Sequence, residues 1–146
     1  MMLAERTDIP LMPVMHLMEG LVADQKEVAL QSEDELVQYA YHVAGAVGLL
    51  MCPVLGCHDR TAYKFAIDMG IAMQLTNIAR DVCEDKARNR QYINHDFSSI
   101  KEIINESKIL YNKSFHSISS IPLRSRFSVI VARRVYRKIG DYILKQ

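Results

Sequence analysis

Gln74-Leu75-Thr76-Asn77-Ile78-Ala79-Arg80-Asp81-Val82-Cys83-Glu84-Asp85 is the stretch on which the reading of this chain turns. At about 100° per residue, Gln74, Asn77, Asp81 and Asp85 fall inside an arc of roughly 80° on one helix. Leu75, Ile78, Ala79 and Val82, with Ile71 and Ala72 just before them, occupy much of the remaining surface. A solvated helix presents a broad face rich in Lys and Glu, whereas a narrow polar stripe on an apolar cylinder suits a cavity inside a helical bundle. Asp81 and Asp85 lie one turn apart, so their like charges need a cation between them. Hard oxygen donors favour Mg²⁺, which bridges protein carboxylates to phosphate oxygens. Arg80 flanks the stripe and can pair with phosphate or orient a carboxylate. The residues alone leave a plainer alternative open: Asp81, Glu84 and Asp85 as a solvated helix end beside Lys86 and Arg88.

The surrounding sequence is helical too. Ser32, with Glu35 three residues on, marks a helix start, and the helix is expected to run from Glu33 to about Met51 before Pro53 and Gly56. Within it, Tyr39-Ala-Tyr-His-Val-Ala-Gly-Ala-Val-Gly48 holds two glycines, which weaken a helix unless another helix or a ligand comes close. Tyr39, Val43 and Val47 recur at i, i+4 and i+8, giving an apolar wall with a phenol at one end. Plain core packing is the competing reading. Asp59 or Thr61 opens the helix carrying the polar stripe, which ends near Lys86. Asp96 or Ser98 opens the next, and Pro122 starts a last helix reaching Leu144. No segment alternates with period two, so the expected fold is all-α: about five helices in a single domain over residues 1–146.

Bulk properties narrow the function. Apolar residues at 49% and charged ones at 24% describe a globular chain, and a net charge of +1 gives no general attraction for nucleic acid. No run of about 18 apolar residues is present, so no membrane span is expected. The residues Met1 to Arg6 lack the pattern of a secretory signal. Cys52, Cys57 and Cys83 are too few and too irregular for a disulfide framework or zinc site, so they read as free thiols in a reducing, cytoplasmic setting.

The two motifs, Tyr39 to Gly48 and Gln74 to Asp85, followed by Arg90-Gln-Tyr92, resemble the squalene/phytoene synthases. Ile121-Pro-Leu-Arg124 and Ala132-Arg-Arg-Val-Tyr136 are similar to that family's terminal stretch, and the resemblance runs from about Asp8 onwards. It implies the isoprenoid synthase type of helical bundle and the head-to-head condensation of two prenyl diphosphates, farnesyl or geranylgeranyl. It also implies Mg²⁺ as cofactor, and NADPH if the product is of the squalene type. Matched by motif, Asp81 and Asp85 correspond to the second aspartate-rich motif that binds Mg²⁺–diphosphate, and Arg80 to that motif's arginine. Tyr39 corresponds to a tyrosine proposed to handle a proton or steady a cation. Gln74 and Asn77 correspond to polar residues of the same site, Val43, Val47 and Gly48 to the hydrocarbon channel, and Tyr136 to a cavity tyrosine. The family is about twice this length, and its first aspartate-rich motif has no counterpart here. Asp24 matches a position well downstream of that motif and does not replace it. Ile93-Asn94 also lacks the proline usual after Tyr92. The chain is therefore expected to be a fragment, a mis-started reading frame, a subunit completed by another polypeptide that supplies the missing half, or a decayed paralogue; peripheral contact with a membrane is an expected accompaniment, and a non-catalytic assembly or lipid-binding role is the alternative.

Overall fold

Ser32 opens its helix as expected. In the computed structural model, which describes residues 10–25 and 28–145, its hydroxyl accepts from the Glu35 amide at 3.2 Å. The Glu35 carboxylate reaches back to the Gln31 amide at 2.6 Å, so two amides at this terminus are satisfied. Asp8, where the family resemblance begins, lies outside the described residues.

The helix has three phases: α2 (Glu33–Ala40), a π-turn (Tyr41–Gly45) and α3 (Ala46–Val54). In the π-turn the Ala46 amide donates to the Tyr41 carbonyl, five residues back. The expected stop near Met51 is passed by about a turn, because Pro53 sits so close to the end that its missing amide removes little. Closure comes at Gly56, whose φ of 76° suits a residue without a side chain. The Gly56 amide donates to Pro53 at 3.1 Å and the Cys57 amide to Cys52 at 2.8 Å. That pair of bonds is a Schellman cap, and buried Cys52 and Cys57 cluster there as its apolar contact. Burial and the neighbouring Cys57 push the Cys52 thiol up to about 11, as befits a packing residue.

Before this helix lies α1 (Leu11–Ala23); after it come α4 (Tyr63–Ala87), α5 (Phe97–Ser114) and α6 (Leu123–Ile143). Asp59 caps the 3-10 turn Arg60–Ala62 that leads into α4, and Asp96 caps α5 through the Ser99 amide at 2.9 Å. Among the described residues six α-helices thus stand where about five were expected, since the π-turn divides one of them. Two strands, β1 (Val28–Ala29) and β2 (Arg90–Gln91), pair in parallel. No strand was expected, and at two residues each they are too short to display a period of two.

The core forms around α4, where Ala72, Leu75 and Thr76 are fully buried. Tyr111 on α5 places its hydroxyl 3.1 Å from that of Thr76, and Arg133 on α6 donates to the Tyr111 carbonyl at 2.8 Å. Two glycines bring α4 against the preceding helix. A Cβ on Gly48 would overlap the carbonyl oxygen of Ala66, and one on Gly70 the carbonyl of Ala44. The small residues of the Tyr39–Gly48 motif therefore serve helix contact first. Glu33–Val54, taken as one helix, has the length and mean hydropathy, 1.2, of a membrane span. It packs on α1 and α4, and 22% of its most apolar window is buried.

Candidate functional site

The cavity along α4 arises from the glycine contacts, which hold α3 close while leaving room beside it. It measures about 500 Å³ and lies between α3, α4 and α6. Its α4 wall runs from Phe65 through Ala66, Gly70 and Met73 to Gln74 and Asn77. Val43, Val47, Gly48 and Met51 form the opposite wall, with Val129, Ala132 and Tyr136 on the third side. Six of the residues singled out from sequence meet here: Val43, Val47, Gly48, Gln74, Asn77 and Tyr136. Met51, Met69, Met73 and Ile121 also line it; nothing in their local sequence separates them from ordinary core.

Asn77 is the polar anomaly of this wall. Its Oδ1 is buried and has no hydrogen-bond partner. Leaving such an atom unpaired costs about 1–3 kcal/mol, a cost native proteins accept where a ligand completes the bond.

One turn past Asn77, beyond the cavity lining, come Arg80 and Asp81. The Arg80 guanidinium grips its neighbour's carboxylate with both arms, Nε to Oδ1 at 2.7 Å and a terminal nitrogen to Oδ2 at 2.6 Å. The pair is partly solvated, at 46% and 32% side-chain exposure, so it is open to exchange with an incoming anion or cation. Asp85, a further turn on, is half-buried. Burial first, then the Asp81 charge, holds its carboxyl above the usual range, while Arg90 and Arg88 pull the other way. No group of three His, Cys, Asp or Glu side chains converges among the described residues. Two carboxylates one turn apart fit Mg²⁺ all the same, since that ion is commonly held by one or two carboxylates plus phosphate oxygens.

Asp85 should therefore make stability depend on pH in a definite direction. A carboxyl whose folded pKa is raised disfavours its charged form, so ionised Asp85 subtracts from stability at neutral pH. Asp85→Asn should raise the urea midpoint at pH 7, and the gain should shrink as pH falls towards the unfolded carboxylate range of about 4. Saturating Mg²⁺ should reverse the order, favouring the parent chain. A lower midpoint for the variant at pH 7 without Mg²⁺ would contradict the burial argument.

Tyr39 stands apart from the cavity. Its ring stacks on that of Tyr92 at 4.8 Å, and both hydroxyls reach the same Asp24 oxygen, at 2.9 and 3.1 Å. Burial and these partners hold the Tyr39 phenol well above its usual range, and burial raises Tyr92 as well. Both phenols donate to it, which makes the Asp24 carboxylate the hydrogen-bond acceptor of the cluster. Arg90 ties the same point down, donating to the Asp24 carbonyl at 3.1 Å. Sequence reasoning sets Asp24 aside because it cannot stand in for a lost motif. Its tie to residues 15 and 68 positions away leaves no local trace.

Comparison with known proteins bears on this arrangement. A family profile described as squalene/phytoene synthase matches residues 2–98. The chain belongs to the squalene/phytoene synthase family. It is similar to the 15-cis-phytoene synthase of Pantoea ananas, 33% identical over an alignment of 144 positions that covers 84% of this chain and 47% of that one. It is also similar to the phytoene synthase of Thermus thermophilus, 47% identical over 89 residues, 61% of this chain and 30% of the relative. The crystal structure of squalene synthase HpnC from Alicyclobacillus acidocaldarius superposes on 98% of this chain with a TM-score of 0.87 at 20% identity, using 62% of its own length. The fold is thus that of the squalene/phytoene synthases, and the chain spans about half the length of the curated relatives it matches most fully.

Proposed function

We propose that this chain forms the diphosphate-gripping, hydrocarbon-holding half of a prenyl transferase that joins two prenyl diphosphates head to head. The observation that carries the reading is the position of Asn77. Asn77 lines an apolar cavity while its Oδ1 is buried and unpaired, and the two carboxylates lie further along the same helix.

On this reading Asp81 and Asp85 hold Mg²⁺, which when bound neutralises charge gathering on a departing diphosphate. Arg80 exchanges one arm from Asp81 to a phosphate oxygen, keeping positive charge at the leaving group. Gln74 and Asn77 offer neutral hydrogen bonds that orient the head group. Val43, Val47 and the methionines around Gly70 exclude water from the allylic cation, and Tyr136 closes the polar end beside Arg80. The protonated Tyr39 steadies developing charge as a dipole, with Asp24 as the hydrogen-bond acceptor behind it. Farnesyl or geranylgeranyl diphosphate suits the cavity, giving a squalene- or phytoene-type product; an NADPH-dependent reduction belongs only to the former. Cytoplasmic location and peripheral membrane contact complete the proposal.

Calorimetry with farnesyl thiodiphosphate, in the presence and absence of Mg²⁺, tests it. Binding that needs Mg²⁺ is the expected result. Equal binding under both conditions would instead favour a lipid-binding member of the family that performs no chemistry.

A further inference from the structure

At the end remote from Asn77, the cavity stops where α3 finishes and α4 begins. Cys52, Cys57 and Ala62 line it there and are 5%, 2% and 4% exposed, so this end is sealed from solvent. A latch holds the seal. Asp59 accepts from the Thr61 amide at 2.9 Å and from the Ser120 hydroxyl at 2.8 Å, tying the turn before α4 to the 3-10 turn Phe115–Ser120. Gly56 lies against the same region, since a Cβ there would stand 3.3 Å from the Pro122 ring. Phe65 is the bulkiest side chain that α4 contributes to the lining. Side chains on a helix lean towards its N-terminus, so the Phe65 ring lies over the turn that holds Ala62.

The depth of this wall can be set beside the length of a ligand. α4 rises about 18 Å between Phe65 and Asn77, at about 1.5 Å per residue. With carbon–carbon bonds of about 1.5 Å, an extended prenyl chain spans about 14 Å at C15, about 19 Å at C20 and about 24 Å at C25. A C20 chain whose first carbon lies level with Asn77 therefore ends against Phe65. A C15 chain stops about 4 Å short and leaves a void, whereas a C25 chain overruns by about 6 Å into the sealed turn. We propose, resting on the functional reading above, that Phe65 is the floor that sets the length of prenyl chain this site accepts, with the Asp59–Ser120 latch holding the turn behind it.

Calorimetry of the 146-residue chain with Mg²⁺ and farnesyl, geranylgeranyl or geranylfarnesyl thiodiphosphate tests the floor. The C20 compound should bind at least about 10-fold tighter than either neighbour, because it alone fills the depth without a void or an overrun. Phe65→Ala should move the optimum to the C25 compound, whose affinity rises at least about 10-fold, and Phe65→Trp should move it to the C15 compound. Circular dichroism establishes that each variant folds. A parent chain that binds the C20 and C25 compounds equally would overturn the proposal. So would a Phe65→Ala chain that loses affinity for all three lengths together. Binding that needs Mg²⁺ but ignores length leaves the functional reading standing without this floor, whereas no binding at any length sinks that reading as well.

Discussion

Asp81→Asn should lower the Mg²⁺-dependent affinity for farnesyl thiodiphosphate by at least about 100-fold while leaving the melting temperature nearly unchanged. The loss has two sources. One of only two carboxylates on the stripe disappears, and a contact to a charged group contributes about 1.5–3 kcal/mol. Arg80 also loses the partner that orients both its arms. At about 1.4 kcal/mol per tenfold, the first source alone approaches the stated factor. Stability responds little because the pair is solvated, and exposed ion pairs contribute about 0–1 kcal/mol. Calorimetry and a thermal melt on the same preparation separate the two readouts. Equal losses of affinity and stability would mean that Asp81 supports the helix rather than a metal.

Gly70→Ala should do the reverse, destabilising the chain by about 3 kcal/mol or more whatever its ligand. Alanine favours a helix over glycine by about 1 kcal/mol, so the sign depends on what the methyl group meets. Here it meets backbone: the Ala44 carbonyl carbon at 2.7 Å and the Gly45 Cα at 3.0 Å. Neither atom can move without separating two helices. Gly140 provides the control, because a Cβ there touches only side-chain carbons of Ile104 at 3.4 and 3.5 Å. Gly140→Ala should leave stability unchanged or raise it by up to about 1 kcal/mol. Urea denaturation of the two variants decides the matter, and a Gly70→Ala chain as stable as the parent would refute the close-contact account.

The helical bundle and one wall of the site are legible in the sequence because both are periodic. Gln74 and Asn77, which line the cavity, and Asp81 and Asp85, which lie beyond its lining, share a single helix, so their order along it is set by spacing alone. Ser32, Asp59 and Asp96 announce helix starts by short-range hydrogen bonds that sequence displays directly. The features that escape depend on contact between distant segments. Asp24 meets Tyr92 across 68 positions, and Met51 reaches the cavity only because Gly48 lets α3 lie on α4. Spacing from Val43 and Val47 puts Tyr39 on the apolar wall. The π-turn between them breaks that spacing, and the phenol faces Asp24 instead.

That extra residue in the Tyr41–Gly45 turn constrains how the chain can change length. Removing one of the five would restore ordinary winding and keep the faces of the two flanking helices, because the widened turn already absorbs one residue without the usual advance of about 100°. Tyr39 would keep the Asp24 carboxylate and Gly48 the Ala66 carbonyl. A single-residue deletion should therefore be accepted in this turn and rejected between Ala46 and Gly48, which makes the turn the place where this helix can change length.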